Sequence, residues 1–325
     1  MSSFDYVIQG VKCTDARWAD DPTAAFPGAW HLRTDTALLP QFPGLRATRF
    51  TRPGQHGESL AQFAPIEPRT VRLAMRFVAV CSDPRDPRYG QMGGSWEERL
   101  SFIEANVNEF MFRTQIGNQA GLGQLRLERT FTDFEHFPYG EADQTMGTQW
   151  CTGRFLSSSE AEVDRDARWA EYDLVFENPE GTWLTEQQEV RVDVPANADT
   201  AVDLPMGTAP VWDAMLAVRS ADGRLEAGTS FKNTAGVGFE LARWTESWWI
   251  LDMESRMSSL AGTATGPNWG ANLNDAQMIS ELGRPQGSAL LVNPGVSSSG
   301  DRIGRITINA PQACQVRIRY NPRFF

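Results

Sequence analysis

Apolar and polar residues alternate along several short stretches in the first half of the chain. Residues 71–80 read Val-Arg-Leu-Ala-Met-Arg-Phe-Val-Ala-Val, which places apolar side chains on one face and both arginines on the other. A period of two is typical of a strand that buries one face and exposes the other. Residues 125–129 and 170–176 repeat the pattern between loops rich in Gly, Pro and Asp, which predicts antiparallel sheets.

One helix is predicted in this block, from Ser95 to about Thr114. The stretch Ser95-Trp-Glu-Glu98 has the pattern of a capping box. In such a box the serine caps the helix, and the Glu98 carboxylate reaches back to the capping residue. Apolar residues then follow at helical spacing, at Leu100, Ile103, Val107 and Phe110. We expect this apolar stripe to pack on a sheet face.

A second strand-rich block begins after residues 179–189. It contains short stretches that predict strands, at residues 190–194, 211–218, 237–241, 248–252, 303–308 and 316–320. Several short strands separated by frequent turn signals indicate a β-sandwich. At roughly 100–200 residues per domain, a chain of 325 residues is expected to form two domains. We predict domains at residues 1–184, with the helix, and 185–325.

Charge and hydropathy argue against two classes of partner. The net charge is −11 and no run of Lys or Arg occurs, so no specific nucleic-acid interface is expected, because such an interface needs clustered cations. No stretch approaches the roughly 18 apolar residues of a membrane-spanning helix, so no membrane insertion is expected. The first residues lack the pattern of a signal peptide, and we expect synthesis in a cytosol.

Residues that could carry chemistry form no recognisable motif. The three histidines have no HxxxH spacing, and the sequence contains neither a phosphate-binding loop nor a GxSxG elbow, so no metal, cofactor or catalytic residue is predicted. Four cysteines allow three disulfide pairings, but in a reducing cytosol we expect free, mostly buried thiols. They are Cys13, Cys81, Cys151 and Cys314.

Four tryptophans lie close together in the second block, at Trp244, Trp248, Trp249 and Trp269. Exposed tryptophans stack on sugar rings and anchor protein interfaces, so these residues are candidates for a glycan or protein contact. The alternative is a packing role. In a strand, Trp248 and Ile250 would share one face while Trp249 and Leu251 share the other, and one of these sets would belong to the sandwich core.

The order and spacing of several features resemble one family of structural proteins. The helix lies between two strands, and a later alternating strand ends in Phe176-Glu-Asn-Pro179, followed by Trp183. The second block adds further marks, at Pro210–Val218, the strand ending in Asp252, Asn293-Pro294-Gly295, Val316–Tyr320 and the tail Phe324-Phe325. With this pattern, the chain resembles the distal tail proteins of siphovirus-type bacteriophages, which have long, flexible tails.

This resemblance implies a mainly β protein without enzymatic activity. It implies an N-terminal β-sandwich with one packed helix, followed by a C-terminal galectin-like, jelly-roll β-sandwich. Proteins of this family form a ring, usually a homo-oligomer of six copies, that joins the tail tube to the tail-tip hub and the host-attachment apparatus. The implied location is the distal end of the virion tail, after synthesis in the host bacterial cytoplasm.

The implied partners are the tail tube protein, the tail-tip hub protein, the tape measure protein and receptor-binding proteins. Long loops at residues 83–94 and 132–147 are candidates for ring or hub contacts, because loops of that length in a compact domain usually bind something. The residues expected to make these contacts are Arg85, Arg88, Tyr89, Phe134, Phe137 and Tyr139.

Two alternative functions remain. A carbohydrate-binding module for host attachment would use the tryptophans of the second block as its platform. A glycan hydrolase needs only two carboxylates at any sequence separation, and the chain has 41 acidic residues.

Overall fold

The structure is a computed structural model that describes residues 4–14, 28–33, 36, 49–50, 59–60, 68–116, 124–131, 148–220, 222–263, 265–282, 291–298 and 300–324. Within these ranges the chain forms one α-helix and antiparallel β-sheets joined by turns. The predicted mainly β architecture with one helix is therefore confirmed.

The first half of the chain contributes one large sheet. Strands β1 to β11 are, in chain order, Phe4–Ile8, Val11–Lys12, Trp30–Leu32, Arg49–Phe50, Ser59–Leu60, Arg69–Val78, Gln124–Phe131, Thr148–Ser158, Glu162–Val163, Trp169–Asn178 and Trp183–Leu184. The order across the sheet is β2-β1-β7-β8-β10-β6-β3, with β9 on β10 and β11 on β8. Strands β4 and β5 pair separately. The large sheet curls like half of a barrel.

Strands β6 and β10 pair along their whole lengths, from Arg69 opposite Asn178 to Val78 opposite Trp169. Alternation places the apolar side chains of both strands toward the core, as predicted from residues 71–80 and 170–176. The opposite face carries cross-strand ion pairs. Arg76 pairs with Glu171 at 2.5 Å, and Arg72 pairs with Asp173.

Helix α1 (Trp96–Thr114) begins at the predicted N-cap. The Glu98 backbone N–H donates to Ser95 Oγ at 3.1 Å. The Glu98 carboxylate accepts a hydrogen bond from the Gly94 backbone at 2.6 Å, one residue before the position that a capping box predicts. The helix ends at Gln115, which adopts a left-handed conformation with φ of 58°.

The helix packs on the large sheet, but the predicted apolar stripe is buried only at Ile103 and Phe110, whereas Leu100 and Val107 are half-buried. The Phe110 ring contacts Phe77 and Trp30 edge to face, with centroid separations of 5.5 and 5.4 Å. The buried Asn106 amide donates to the carbonyl oxygens of Val78 at 2.8 Å and Val80 at 2.9 Å. These bonds fasten the middle of the helix to the end of β6.

The second half of the chain forms two further sheets. Strands β12 to β25 are, in chain order, Gln188–Val194, Thr200–Pro205, Met215–Ser220, Ser230–Asn233, Gly238–Leu241, Trp249–Asp252, Ser258–Leu260, Gly262–Thr263, Gly266–Pro267, Ile279–Leu282, Gly295–Val296, Arg302–Asn309, Cys314–Tyr320 and Arg323–Phe324. One sheet has the order β12-β24-β14-β17-β18, and the other β13-β23-β15-β16-β21, with β22 on β23. Strands β19 and β20 form a separate hairpin.

The two sheets of the second half face each other across one apolar core. Trp249 from one sheet lies 6.0 Å from Phe231 of the other, measured between ring centroids, and both side chains are fully buried. The Tyr320 hydroxyl crosses the core and donates to the Pro205 carbonyl at 2.9 Å. Burial without a charged partner raises the pKa of this hydroxyl above its ordinary value.

Several strands differ from their predicted form. Residues 211–218 were expected to form one strand, but β14 begins at Met215, and Val211 makes only an isolated bridge to Val292. Strand β8 was not predicted, because its sequence lacks regular alternation. The described residues of the first half form the curled sheet with its helix and the small β4-β5 pair, whereas a β-sandwich was expected.

Candidate functional site

The loop from Asp83 to Gly94 is held to the sheet at its base. The Cys81 backbone N–H donates to the Gln91 carbonyl at 3.0 Å, and the Gly90 N–H donates to the Cys81 carbonyl at 2.9 Å. Two ends joined in this way give the loop a fixed position just past the end of β6. This position brings the loop beside the N-terminus of α1.

Arg88 connects the loop to the helix. Its guanidinium pairs with Asp86 at 2.6 Å and with Glu98 in the first turn of α1, and it lies 5.1 Å from the Phe102 ring centroid. The hydrogen bond from Arg88 lowers the pKa of Asp86 to about 2. Arg85 pairs only locally, with Asp83 at 3.1 Å, and its side chain is 89% exposed. Of the two predicted contact arginines, Arg85 is therefore the more exposed, since the Arg88 side chain is 49% exposed and bonded to the helix.

Two large aromatic side chains are exposed at this corner of the molecule. Tyr89, predicted as a contact residue, is 38% exposed, and Trp96 at the first position of α1 is 52% exposed. Trp96 was not among the predicted contact residues. It lies outside the apolar stripe of the helix, at Leu100, Ile103, Val107 and Phe110, and this was the signal that it could be exposed. We define Arg85, Arg88, Tyr89 and Trp96 as the loop–helix surface.

The predicted contact residues Phe134, Phe137 and Tyr139 lie outside the described residues. So does the rest of the loop at 132–147.

The four tryptophans of the second block do not form one exposed platform. Trp249 is fully buried in the core between the sheets, and Trp248 is 2% exposed on the other side of the same sheet. Neither indole can therefore present a face to a sugar ring. Trp244 is 52% exposed beneath Arg224, and Trp269 is half-buried beneath Arg319. For Trp244 and Trp269, a contact with a glycan or a protein is still a prediction.

Trp248 is covered by the hairpin of β19 and β20. Its indole N–H donates to the Thr263 carbonyl at 2.9 Å, and the Ala261 backbone donates to the Trp248 carbonyl at 3.0 Å. A side chain at Gly262 would approach the indole to 2.5 Å, so this close packing requires glycine. The predicted separation of Trp248 and Trp249 onto two faces is confirmed, but both faces are covered.

The end of the chain returns to the first sheet. Strand β25 pairs with β11, with Phe324 opposite Trp183 and Arg323 opposite Leu184. The Phe324 ring is 1% exposed and belongs to the core beneath the helix-bearing sheet. Gly207 lies against this tail so closely that a side chain there would meet the Arg323 carbonyl oxygen at 1.9 Å. The last residues therefore join the two halves of the molecule.

Arg323 is the charged centre of this junction, although it is only 3% exposed. Its guanidinium binds Asp213 at 2.7 Å and Glu180 at 2.7 Å, donates to the Thr182 hydroxyl at 2.9 Å, and lies 3.8 Å from the Trp212 ring centroid. Burial alone would lower the pKa of Arg323, but the bonds to Asp213 and Glu180 outweigh it and raise the pKa. The sequence gives no sign of this role, because arginine is mostly a surface residue.

Replacing Arg323 with methionine is expected to lower the free energy of unfolding by about 2 kcal/mol, because the buried guanidinium makes charge-assisted bonds to Asp213 and Glu180, whose carboxylates are partly exposed and can bind water once it is gone. Thermal or denaturant unfolding measures the change. Arg305→Met is the matched control, since Arg305 forms its ion pair with Asp203 at the surface and should change stability by under about 0.5 kcal/mol. Equal effects of the two substitutions would contradict a structural role for the junction.

The histidines, cysteines and carboxylates are the other residues that could carry chemistry. No cluster of His, Cys, Asp and Glu there could hold a metal ion. All four cysteines are buried, free thiols, as predicted. Burial raises the pKa of Cys314 to about 11, so its reactive thiolate is scarce at neutral pH. No helix in the described part of the chain is long and apolar enough to span a membrane.

The fold is shared with a known phage protein. The Dit protein of phage SPP1, described as a paradigm of the hub adsorption apparatus in phages that infect Gram-positive bacteria, aligns over 99% of this chain and 100% of its own, with a TM-score of 0.51 and 11% identity. Two structures of the phage p2 baseplate in its activated conformation, with Ca and with Sr, align over 98% of both chains. Their identities are 10% and 9%, and their TM-scores are 0.33 and 0.34.

Comparison at the level of sequence finds no relative. No protein-family model matches the chain, and no curated protein sequence matches it. The likeness therefore rests on the fold and not on sequence identity. The chain has the fold of the SPP1 Dit protein along its whole length, and the resemblance to distal tail proteins is confirmed at the level of the fold.

Proposed function

We propose that this chain is a distal tail protein, a structural component of the virion of a long-tailed phage. It forms a ring at the distal end of the tail and joins the tail tube to the tail-tip hub and the host-attachment apparatus. The observation that carries the proposal is the full-length fold match to the SPP1 Dit protein, together with the sequence features that resemble this family. The proposed role requires no catalysis and no cofactor.

In this proposal, residues 1–184 form the ring-building domain, and residues 185–325 form a galectin-like domain that projects from the ring. Each half of the chain has its own large apolar core, which supports the division. Phe324 is the exception: it belongs to residues 185–325 but packs in the core of the helix-bearing sheet. The junction around Arg323 then sets the direction in which the outer domain projects.

We propose the loop–helix surface as a contact between neighbouring copies or with the hub. Tyrosine, tryptophan and arginine are the residues most enriched among those that dominate binding energy in protein interfaces. Here all three types are found on one fixed loop and the adjoining helix end, with Trp96 and Tyr89 exposed. Closed rings need such a heterologous surface on every copy. The further proposed partners are the tail tube, tail-tip hub, tape measure and receptor-binding proteins.

Replacing Trp96 with glutamate is expected to reduce ring formation at least tenfold, because a charge would replace an anchoring aromatic side chain in the interface. The fraction of assembled protein is measured by native mass spectrometry, with co-expressed tube and hub proteins if the ring needs them. Trp244→Glu is the control, since Trp244 is equally exposed, at 52%, but lies in the other half of the molecule. Normal assembly of Trp96→Glu would remove this surface from the proposed interface.

The function itself is tested in assembling phage particles. Particles produced without this chain are expected to contain tails that fail to complete at the tip, as seen by electron microscopy. Complementation with the intact chain should restore complete tails. Normal tails in its absence would overturn the proposed function.

A further inference from the structure

Both ends of helix α1 expose large side chains. Trp96 at the first position is 52% exposed, whereas Met111 and Phe112 in the last turn are 41% and 80% exposed. A rise of about 1.5 Å per residue separates Trp96 from Phe112 by about 24 Å along the helix axis. The two ends therefore present distinct surfaces, and the first of them is part of the loop–helix surface.

The second half of the helix carries an exposed stripe on the side away from the sheet. Ala105, Asn108, Met111 and Phe112 are all exposed, and residues three, four or seven positions apart lie along one side of a helix. Single exposed apolar residues are ordinary, but here an aromatic ring and a methionine follow each other and are both in solvent. We define these four residues as the helix-end surface.

Arginine guanidinium groups cover aromatic rings elsewhere in this protein. Arg224 lies 4.5 Å from the Trp244 ring centroid, and Arg319 lies 4.6 Å from that of Trp269. The attraction between a guanidinium and the face of an aromatic ring stabilises such pairs. Phe112 is the most exposed large apolar residue in the described part of the chain, and no arginine there lies over its ring. The ring is therefore available to an arginine of another molecule.

Arg85 on the loop–helix surface is well placed to meet such a ring. Its side chain is 89% exposed, and its ion pair with Asp83, at 3.1 Å, is formed within one turn. The Arg85 backbone N–H also donates to the Asp83 carboxylate at 2.9 Å, which fixes the turn. An exposed ion pair of this kind contributes little to stability, so Arg85 can exchange it for a contact with a partner.

A closed ring of identical copies needs two different surfaces on each copy, because each copy meets one neighbour on either side. A surface that met its own counterpart would give a two-fold dimer instead. The loop–helix surface carries an exposed guanidinium and an exposed indole, and the helix-end surface carries an exposed phenyl ring and a thioether. Because the length of α1 separates them, the two surfaces can meet only between different copies.

We propose that the helix-end surface of one copy binds the loop–helix surface of the next copy in the ring. Arg85 stacks on the Phe112 ring of the neighbouring copy, and Trp96 packs beside its Met111. This inference rests on the proposed function, and it names the neighbouring copy, rather than the hub, as the partner of the loop–helix surface.

Chemical cross-linking of the full-length protein, with the tube and hub partners if the ring needs them, tests this contact. Arg85→Cys and Phe112→Cys are combined in one chain, and the assembled protein is treated with a short bismaleimide, which joins two nearby thiols. We expect covalent multimers of up to six copies on a denaturing gel. Each single variant should remain at the mass of one copy, because neither surface meets itself. The four natural cysteines are buried and should not react.

Arg85→Cys combined with Leu156→Cys is the matched control, because Leu156 is also an exposed apolar residue of the first half, at 49%, but lies on neither surface. This pair should give no multimers. Rings that cross-link through Leu156 and not through Phe112, or through neither, would overturn the proposed contact and leave the ring itself intact. Failure of the unmodified protein to form any ring would overturn the contact and the proposed function together.

A charge exchange covers the case in which the cysteine pair prevents assembly. Phe112→Lys is expected to lower the assembled fraction at least tenfold, because it places a second cation against Arg85. Adding Arg85→Glu to Phe112→Lys should restore most of the assembly, since opposite charges then meet. A variant that had only lost its fold would not be rescued in this way. Full assembly of Phe112→Lys alone, or no recovery in the double variant, would overturn the proposal.

Discussion

Replacing Trp249 with alanine is expected to lower the free energy of unfolding of the second half of the chain by about 4 kcal/mol. The side chain is fully buried between the two sheets and lies 6.0 Å from Phe231, so its removal leaves a large cavity that the neighbouring strands cannot fill. Denaturant unfolding followed by circular dichroism measures the loss. The same experiment separates a core tryptophan from a glycan-binding one.

Trp244→Ala is the matched control for this prediction. Trp244 is 52% exposed, and the same substitution there should change stability by under about 1 kcal/mol. If Trp249→Ala left stability unchanged but abolished binding to a glycan, the side chain would have to be a surface contact. The packing of the two sheets described above would then be wrong.

Replacing Phe324 with alanine is expected to destabilise the first half of the chain, although the residue lies at the far end of the sequence. The ring is 1% exposed in the core of the helix-bearing sheet, and truncation of such a ring costs about 3–5 kcal/mol. Hydrogen exchange should show faster exchange in β11 and β8, which lie beside the tail.

Phe112→Ala serves as the control, because Phe112 lies on α1 in the first half but is 80% exposed. It should leave the exchange of β8 and β11 unchanged. Unchanged protection of these strands in Phe324→Ala would show that the first half folds without the tail. In that case, the junction would not couple the two halves.

Local sequence patterns predicted those strands and the helix whose formation depends mainly on residues close together in the chain. The alternation in residues 71–80 and 170–176 identified β6 and β10, because each strand buries only one face. The Ser95 cap and the apolar stripe gave both ends of α1 closely. The resemblance of the whole pattern to distal tail proteins was sufficient to predict the fold that the comparison confirms.

Features that depend on distant residues were not predictable in the same way. Trp248 is buried because the hairpin of β19 and β20 folds over it. The two strands of this hairpin are two residues each, made of Gly, Thr and Pro, and their sequence shows no strand pattern. Arg323 is buried because carboxylates from two remote segments, at Glu180 and Asp213, surround it. No local pattern distinguishes these residues from exposed tryptophans and arginines.

The native mass of the purified protein, alone and co-expressed with the proposed tail tube and hub partners, tests the proposed ring most directly. The proposed ring predicts a species of six copies of the 36.2 kDa chain, about 217 kDa, that appears as rings in negative-stain images. A monomer under every condition, including co-expression, would contradict a ring-forming tail component.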